Sequence, residues 1–234
     1  MVANIRTKIV ISFVVILGAV SLSRNGIEMT PQKLLHIRLD LELISDLVEK
    51  NSTVLDLGCG EGDLLLKLLK DKNVQGHGVE IFDQYIYSCV EKGVPVVHAD
   101  LDEGLDDYPD KSFDYVILSR TLQVVRKPHQ ILKEMLRVGK IGIISLPNFG
   151  FWKVRSQLFF KGKMPVTKIL PYEWFDTPNI HLVTIKDFKI FCAKENIKIK
   201  KQTYLVKDRK VKWLATLFPN LFAELAIFVI QNNH

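Results

Sequence analysis

With 234 residues, 47% of them hydrophobic and 25% charged, the chain has the size of one large domain, or a domain with appendages, and an ordinary globular composition. That excludes a disordered or fibrous protein, and a core of this size is stable without covalent staples. The net charge of +6 is uneven, with ten Lys or Arg against three Asp or Glu over residues 186–212 and six acids with no base over residues 100–110; this is not the uniform basic surface of a nucleic-acid binder.

Residues 1–28 stand apart. Arg6 and Lys8 precede an apolar run over residues 9–22, which is short of the ~20 residues a helix needs to span a bilayer. Basic flank, apolar run and the small residues Ala19 and Ser21 outline a signal peptide. A start placed too far upstream of Met29 gives the same picture, and we expect that reading; a packing helix is the third. The domain is then expected over 29–234, without a membrane span.

From Met29 the order is regular. Residues 31–50 carry apolar positions at helical spacing, with Thr30 as N-cap and Pro31 in the first turn. Strand 52–58 leads through a glycine loop into helix 63–71. Strand 74–81 follows, then a helix over 83–93 closed by Gly93, then strand 94–100. Strand 112–119, helix 128–139 and strand 140–147 complete the alternation. Short intervals and continuous apolar strands predict an α/β protein with a mostly parallel sheet covered on both faces by helices. Beyond it, an insertion over 148–180 is rich in aromatics, broken by Pro165, Pro171 and Pro178, and without a clean period. It reads as a lid, or as a satellite apolar cluster under a long loop. A helix over 184–196 starts at Thr184 with Asp187 at its third position, close to a capping box. An alternating strand over 197–206 and a final apolar strand over 221–231 end the chain.

Three cysteines, Cys59, Cys89 and Cys192, form no CxxC or Cys/His cluster. Neither a disulfide framework nor a metal site is expected, and reduced, cytoplasmic thiols are the simple reading. Cys59, inside the glycine loop, reads as a small packing residue rather than a nucleophile.

In parallel sheets ligands bind beyond the carboxyl ends of the strands. Gly58, Gly60 and Gly62 stand between the first strand and its helix, where a bare backbone and free N–H groups receive an anionic group. Their spacing, G-x-G-x-G, differs from the G-x-G-x-x-G of dinucleotide sites, so a carboxylate suits them better than a pyrophosphate. Glu80, followed by Ile81, ends the second strand, where an acid accepts from a ribose diol. Asp100 ends the third, where a carboxylate can accept from an adenine amino group while the Leu101 N–H meets a ring nitrogen. A ligand with a carboxylate, a ribose and an adenine but no pyrophosphate is S-adenosylmethionine or its demethylated product, S-adenosylhomocysteine.

These elements, in this order, resemble the Rossmann-like class I S-adenosylmethionine-dependent methyltransferase fold, with a seven-stranded sheet. The resemblance implies that Asp56 orders the loop and meets the ligand's amino group. Further stretches, "ADLDEGL", "FDYVILSRTLQVV", "GKMPVTKILPYEWFDTPNIHLVTIKDF" and "PNLFAELAIF", are similar to the methionine biosynthesis protein MetW family. After Ser119, where that family reads Gln, this chain has Arg120, close to the expected pocket. The family implies a partner, a homoserine O-acyltransferase of the MetX type, and names no methyl acceptor. Two readings therefore remain open: an S-adenosylmethionine-binding module that supports the acyltransferase, and a methyltransferase on a small acceptor. Asp176 and His181 are the polar groups nominated for acceptor chemistry; a structural role for His181 is the alternative.

Overall fold

A computed structural model describes residues 31–206 and 212–233. From His36 onward the chain forms one compact unit. The extension over 1–28 and the expected cap at Thr30 lie outside the described residues.

Helix α1 (Pro31–Leu47) leads into β1 (Thr53–Leu57), α2 (Asp63–Lys72), β2 (Gln75–Glu80), α3 (Asp83–Glu91) and β3 (Val96–His98). After a 3-10 turn at Leu101–Glu103 come β4 (Phe113–Ser119), α4 (Pro128–Val138), β5 (Gly139–Pro147), α5 (Trp152–Lys161), α6 (Ile185–Lys194), β6 (Ile197–Leu205), α7 (Lys212–Leu217), α8 (Pro219–Phe222) and β7 (Leu225–Asn232). The seven strands form one sheet in the order β3-β2-β1-β4-β5-β7-β6. β7 is antiparallel to both neighbours and the remaining pairings are parallel, so the sheet is mostly parallel, as the sequence implies.

The period-2 alternation of the strands sorts the core into two layers. Leu55, Leu57, Val116, Leu118 and Ile144 meet Ile131, Leu132 and Met135 of α4 and Phe188 of α6. On the other face Val54, Tyr115, Ile117 and Ile143 meet Ile44 of α1, Leu64, Leu65 and Leu68 of α2 and Cys89 of α3. Each buried Leu or Ile contributes about 1.5–3 kcal/mol relative to exposure, and β1 and β4, central and covered on both faces, are therefore rigid.

Two expectations need revision. The aromatic insertion holds a ten-residue helix, α5, which has no apolar stripe to read because Val154 is its one buried residue. The last strand starts at Leu225, not residue 221: Pro219 fits the first turn of a helix, and the Ala223 N–H donates to the Pro219 carbonyl, closing α8 where a strand was expected.

Candidate functional site

The strand order reverses between β1 and β4, and ligands of such sheets bind beyond the strand ends there. At that place lies a cleft of about 660 Å³, walled by Gly58 and Gly60 after β1, by the end of β2 and the residues after it (Glu80, Ile81, Phe82 and Tyr85 among them), by Ala99 to Asp102 after β3, and by Ser119, Arg120, Thr121 and Arg126 at and beyond the end of β4. Tyr172, Asp176 and Pro178 of the insertion complete the wall.

The loop after β1 is held open by its glycines. Gly58, Gly60 and Gly62 have φ of 69°, 56° and 75°, the left-handed region that residues with a Cβ rarely adopt. At Gly58 a Cβ would stand 2.6 Å from Thr121 Cγ2, so the β1 and β4 loops touch only because this residue has no side chain. Gly62 opens α2, whose N-terminus receives no side-chain cap. An uncapped helix N-terminus presents its first N–H groups and the positive end of its dipole.

Glu80 braces this loop. Its Oε2 accepts from the Gly60 N–H at 2.8 Å; its Oε1 accepts from the Ile81 and Phe82 N–H groups at 2.9 and 3.1 Å. Three backbone donors fix a carboxylate that is only 6% exposed and that lines the cleft. Lys92, after α3, clamps the outer side of the loop through the Glu61 carbonyl at 2.9 Å and the Asp63 carboxylate at 2.6 Å. Asp100 accepts from the Asp102 N–H at 2.9 Å, which turns the chain after β3 and keeps Leu101 against the cleft.

Asp56 is buried in β1, and its Oδ1 has no hydrogen-bond partner. Burial first, and the charge of Glu80 second, push its pKa up to about 7. An acid left unsatisfied at a strand end calls for a donor or a cation. Cys59 and Cys89 lie with their sulfurs 4.0 Å apart, and burial pushes both thiols up, which makes poor nucleophiles of them.

Of the residues singled out by sequence, Gly58, Gly60, Glu80, Ile81, Asp100, Leu101, Ser119 and Asp176 come together on the cleft wall. Asp56, Cys59 and Gly62 stand behind it, in the strand and loop that shape it. The structure does not bring His181 into the cleft. It lines a separate apolar hollow of about 220 Å³ between α4 and α6, and its backbone N–H donates to the Gln123 carbonyl at 3.1 Å. Sequence reading missed Tyr172 and Tyr85, which carry no strand-end signal, and Asp40, which reaches Arg120 from α1: Arg120 Nε and Asp40 Oδ2 are 2.7 Å apart.

Fold and cleft define a Rossmann-like class I methyltransferase architecture. The solved S-adenosylmethionine-dependent methyltransferase from Archaeoglobus fulgidus has the same fold, with a TM-score of 0.59 over 86% of this chain and 94% of that one at 19% identity. Residues 38–230 match the family described as methionine biosynthesis protein MetW, and the chain belongs to that family. It is 32% identical over 207 residues to the bifunctional methionine biosynthesis protein MetXA/MetW of Rhodopirellula baltica, covering 85% of this chain but 33% of that protein. A demethylmenaquinone methyltransferase of Listeria welshimeri is 31% identical over 134 residues, 51% of this chain and 56% of the relative. The chain thus spans a third to about half of the length of these relatives.

Proposed function

We propose that this protein binds S-adenosylmethionine in the cleft and supports a homoserine O-acyltransferase of the MetX type. The observation that carries the partner is the bifunctional relative, whose name joins MetXA to MetW and of which this chain matches one third. Tethering raises the effective concentration of two modules for each other, and that advantage is useful where the two surfaces work together. The ligand rests on the chain's own groups. The uncapped N-terminus of α2 suits its carboxylate, Asp56 Oδ1 lacks the donor that an ammonium supplies, Glu80 is positioned for the ribose and Asp100 for the adenine. S-adenosylmethionine, when bound, offers an electrophilic methyl group on sulfur; these residues orient it and exclude water around it.

The contact surface we assign is the aromatic insertion. Phe159 and Phe160 are 83% and 81% exposed and lie edge-to-face at 5.0 Å. With Trp152, Leu158 and Leu221 they line an open apolar hollow. Patches of this kind mark protein contacts.

The test is an acyl-transfer assay on purified MetX-type enzyme, titrated with this protein with and without S-adenosylmethionine. We expect the rate to rise with added protein and to depend on the nucleotide. A rate indifferent to the protein removes the support role, and a rate indifferent only to the nucleotide removes any link between the cleft's ligand and that support. The second reading, methylation of a small acceptor, is favoured by the demethylmenaquinone methyltransferase relatives and by Tyr172 and Asp176 facing the cleft from the insertion. Transfer of labelled methyl to a metabolite extract, lost in Glu80→Ala, would support it.

A further inference from the structure

Trp174 and Phe175 are 72% and 71% exposed and lie edge-to-face at 5.8 Å. A loose loop would account for bare rings, but this segment is fastened at both ends. Leu170 is buried in one small cluster with Phe151 and with Val154 of α5, and its N–H donates to Thr167 Oγ1 at 3.1 Å. At the other end the Ile180 N–H donates to the Gln123 carbonyl at 2.9 Å. Between these anchors Tyr172, Asp176 and Pro178 line the cleft, whereas Trp174 and Phe175 do not. The strap therefore has a cleft face and an outward aromatic face.

A second element adds to that rim. Phe82, after β2, lines the cleft, is 58% exposed and meets Tyr85 edge-on at 5.9 Å. Burial first, then the nearby Tyr172 and Glu80, push the Tyr85 hydroxyl pKa up, so the strap comes close to this side. Exposed aromatics from two separate elements thus form a collar at the mouth of one cleft.

The possible occupants of such a collar differ in what they need. A small acceptor inside the cleft leaves Trp174 and Phe175 uncovered, because neither lines it. An anionic lipid surface is opposed by Glu173 and Asp176, interleaved with the rings. Protein contacts favour Trp, Tyr and Phe. The strap is also continuous, through Leu170 and Val154, with α5, the face proposed above for the acyltransferase.

We propose that an acyltransferase seated on α5 also covers this aromatic collar and closes the mouth of the cleft, so that the nucleotide enters before the partner docks and leaves after it. Tyr172 faces the cleft two residues from a ring that faces the partner, so one strap bears on both bindings. The inference rests on the partner and ligand readings above.

The experiment loads the protein with labelled S-adenosylhomocysteine, adds excess unlabelled nucleotide, and follows release with and without saturating MetX-type acyltransferase. Release is expected to slow by about tenfold in the complex, since such effects fall mainly on dissociation rates. Trp174→Ser with Phe175→Ser should release nucleotide like the unaltered protein when alone, because neither ring lines the cleft. With the acyltransferase bound, the same variant should lose most of the slowing. Trp174→Ser alone reads that loss if the pair does not fold. Release indifferent to bound acyltransferase, or slowed as much in both variants, overturns the inference and leaves the support role standing. Slowing that needs only more of this protein, or only vesicles of phosphatidylcholine and phosphatidylglycerol, assigns the collar to a second copy or to lipid and overturns it as well. If the acyltransferase or the nucleotide does not bind the unaltered protein, the reading above fails and the inference falls with it.

Discussion

Asp56 is the residue whose environment has the most readable consequence. Its pKa stands at about 7 in the fold against an ordinary 3.8. The folded protein therefore holds a proton that the unfolded chain has already released, and stability falls as pH rises from about 4 to about 7, then levels off. Asp56→Asn should flatten that window. Denaturant melts at about pH 5 and about pH 8 are expected to show a drop of a few kcal/mol in the protein that is smaller in the variant. A ligand ammonium beside Asp56 favours its charged form, so affinity for S-adenosylmethionine should increase through about pH 7. Gly58→Ala brings both a left-handed alanine and a contact at 2.6 Å with Thr121, and a loss of about 1–3 kcal/mol, seen as a lower Tm, is expected. At this scale the sequence is most legible where function and backbone coincide. Gly58, Gly60 and Asp100 follow strands and Glu80 ends one, and strand ends in a parallel sheet are where side chains and loops meet a ligand. The pairing of Arg120 with Asp40 was not legible, because Asp40 comes from a helix far upstream and no spacing rule connects them.

Among the elements, those with a repeating burial pattern were read well and those without one were not. α4 shows Ile131, Leu132, Met135, Leu136 and Val138 buried at helical spacing, and it starts at Pro128 as the sequence implies. α6 begins with a full capping box: Thr184 Oγ1 accepts from the Asp187 N–H, and the Asp187 carboxylate accepts from the Thr184 N–H. Thr184→Ala should cost about 1 kcal/mol, measurable by denaturant melts. α5 escaped notice because it buries almost nothing. That exposure gives its prediction: a double change, Phe159→Ser with Phe160→Ser, should move stability by less than about 0.5 kcal/mol, as surface changes do. The same change should weaken co-purification with the acyltransferase. Loss of folding with loss of association would instead place the two rings in the core. The basic run over 186–212 falls partly on β6, an edge strand whose lysines 198, 200 and 201 point away from the core. Edge lysines discourage strand addition by another chain, which accounts for that charge without a nucleic acid.

For the whole molecule, the sheet order and the two core layers follow from continuous apolar strands separated by short helices. What the pattern does not contain is the path of the insertion, whose Tyr172, Asp176 and Pro178 reach the cleft while His181 turns into a hollow between α4 and α6. Both placements hinge on the Gln123 carbonyl, which accepts from the Ile180 and His181 N–H groups at 2.9 and 3.1 Å. A backbone pin of this kind leaves no trace in composition. Since Arg120, Thr121, Val124 and Arg126 line the cleft while Gln123 between them holds Ile180 and His181, the cleft and the end of the insertion are joined by one loop, and a ligand with different affinity for two arrangements of that loop would shift it. The most direct measurement is calorimetric titration of the purified, nucleotide-free protein with S-adenosylhomocysteine. We expect saturable heat at one site per chain, strongly reduced in Glu80→Ala with the fold intact by circular dichroism; no heat from the unaltered protein, or equal heat from the variant, would contradict the account.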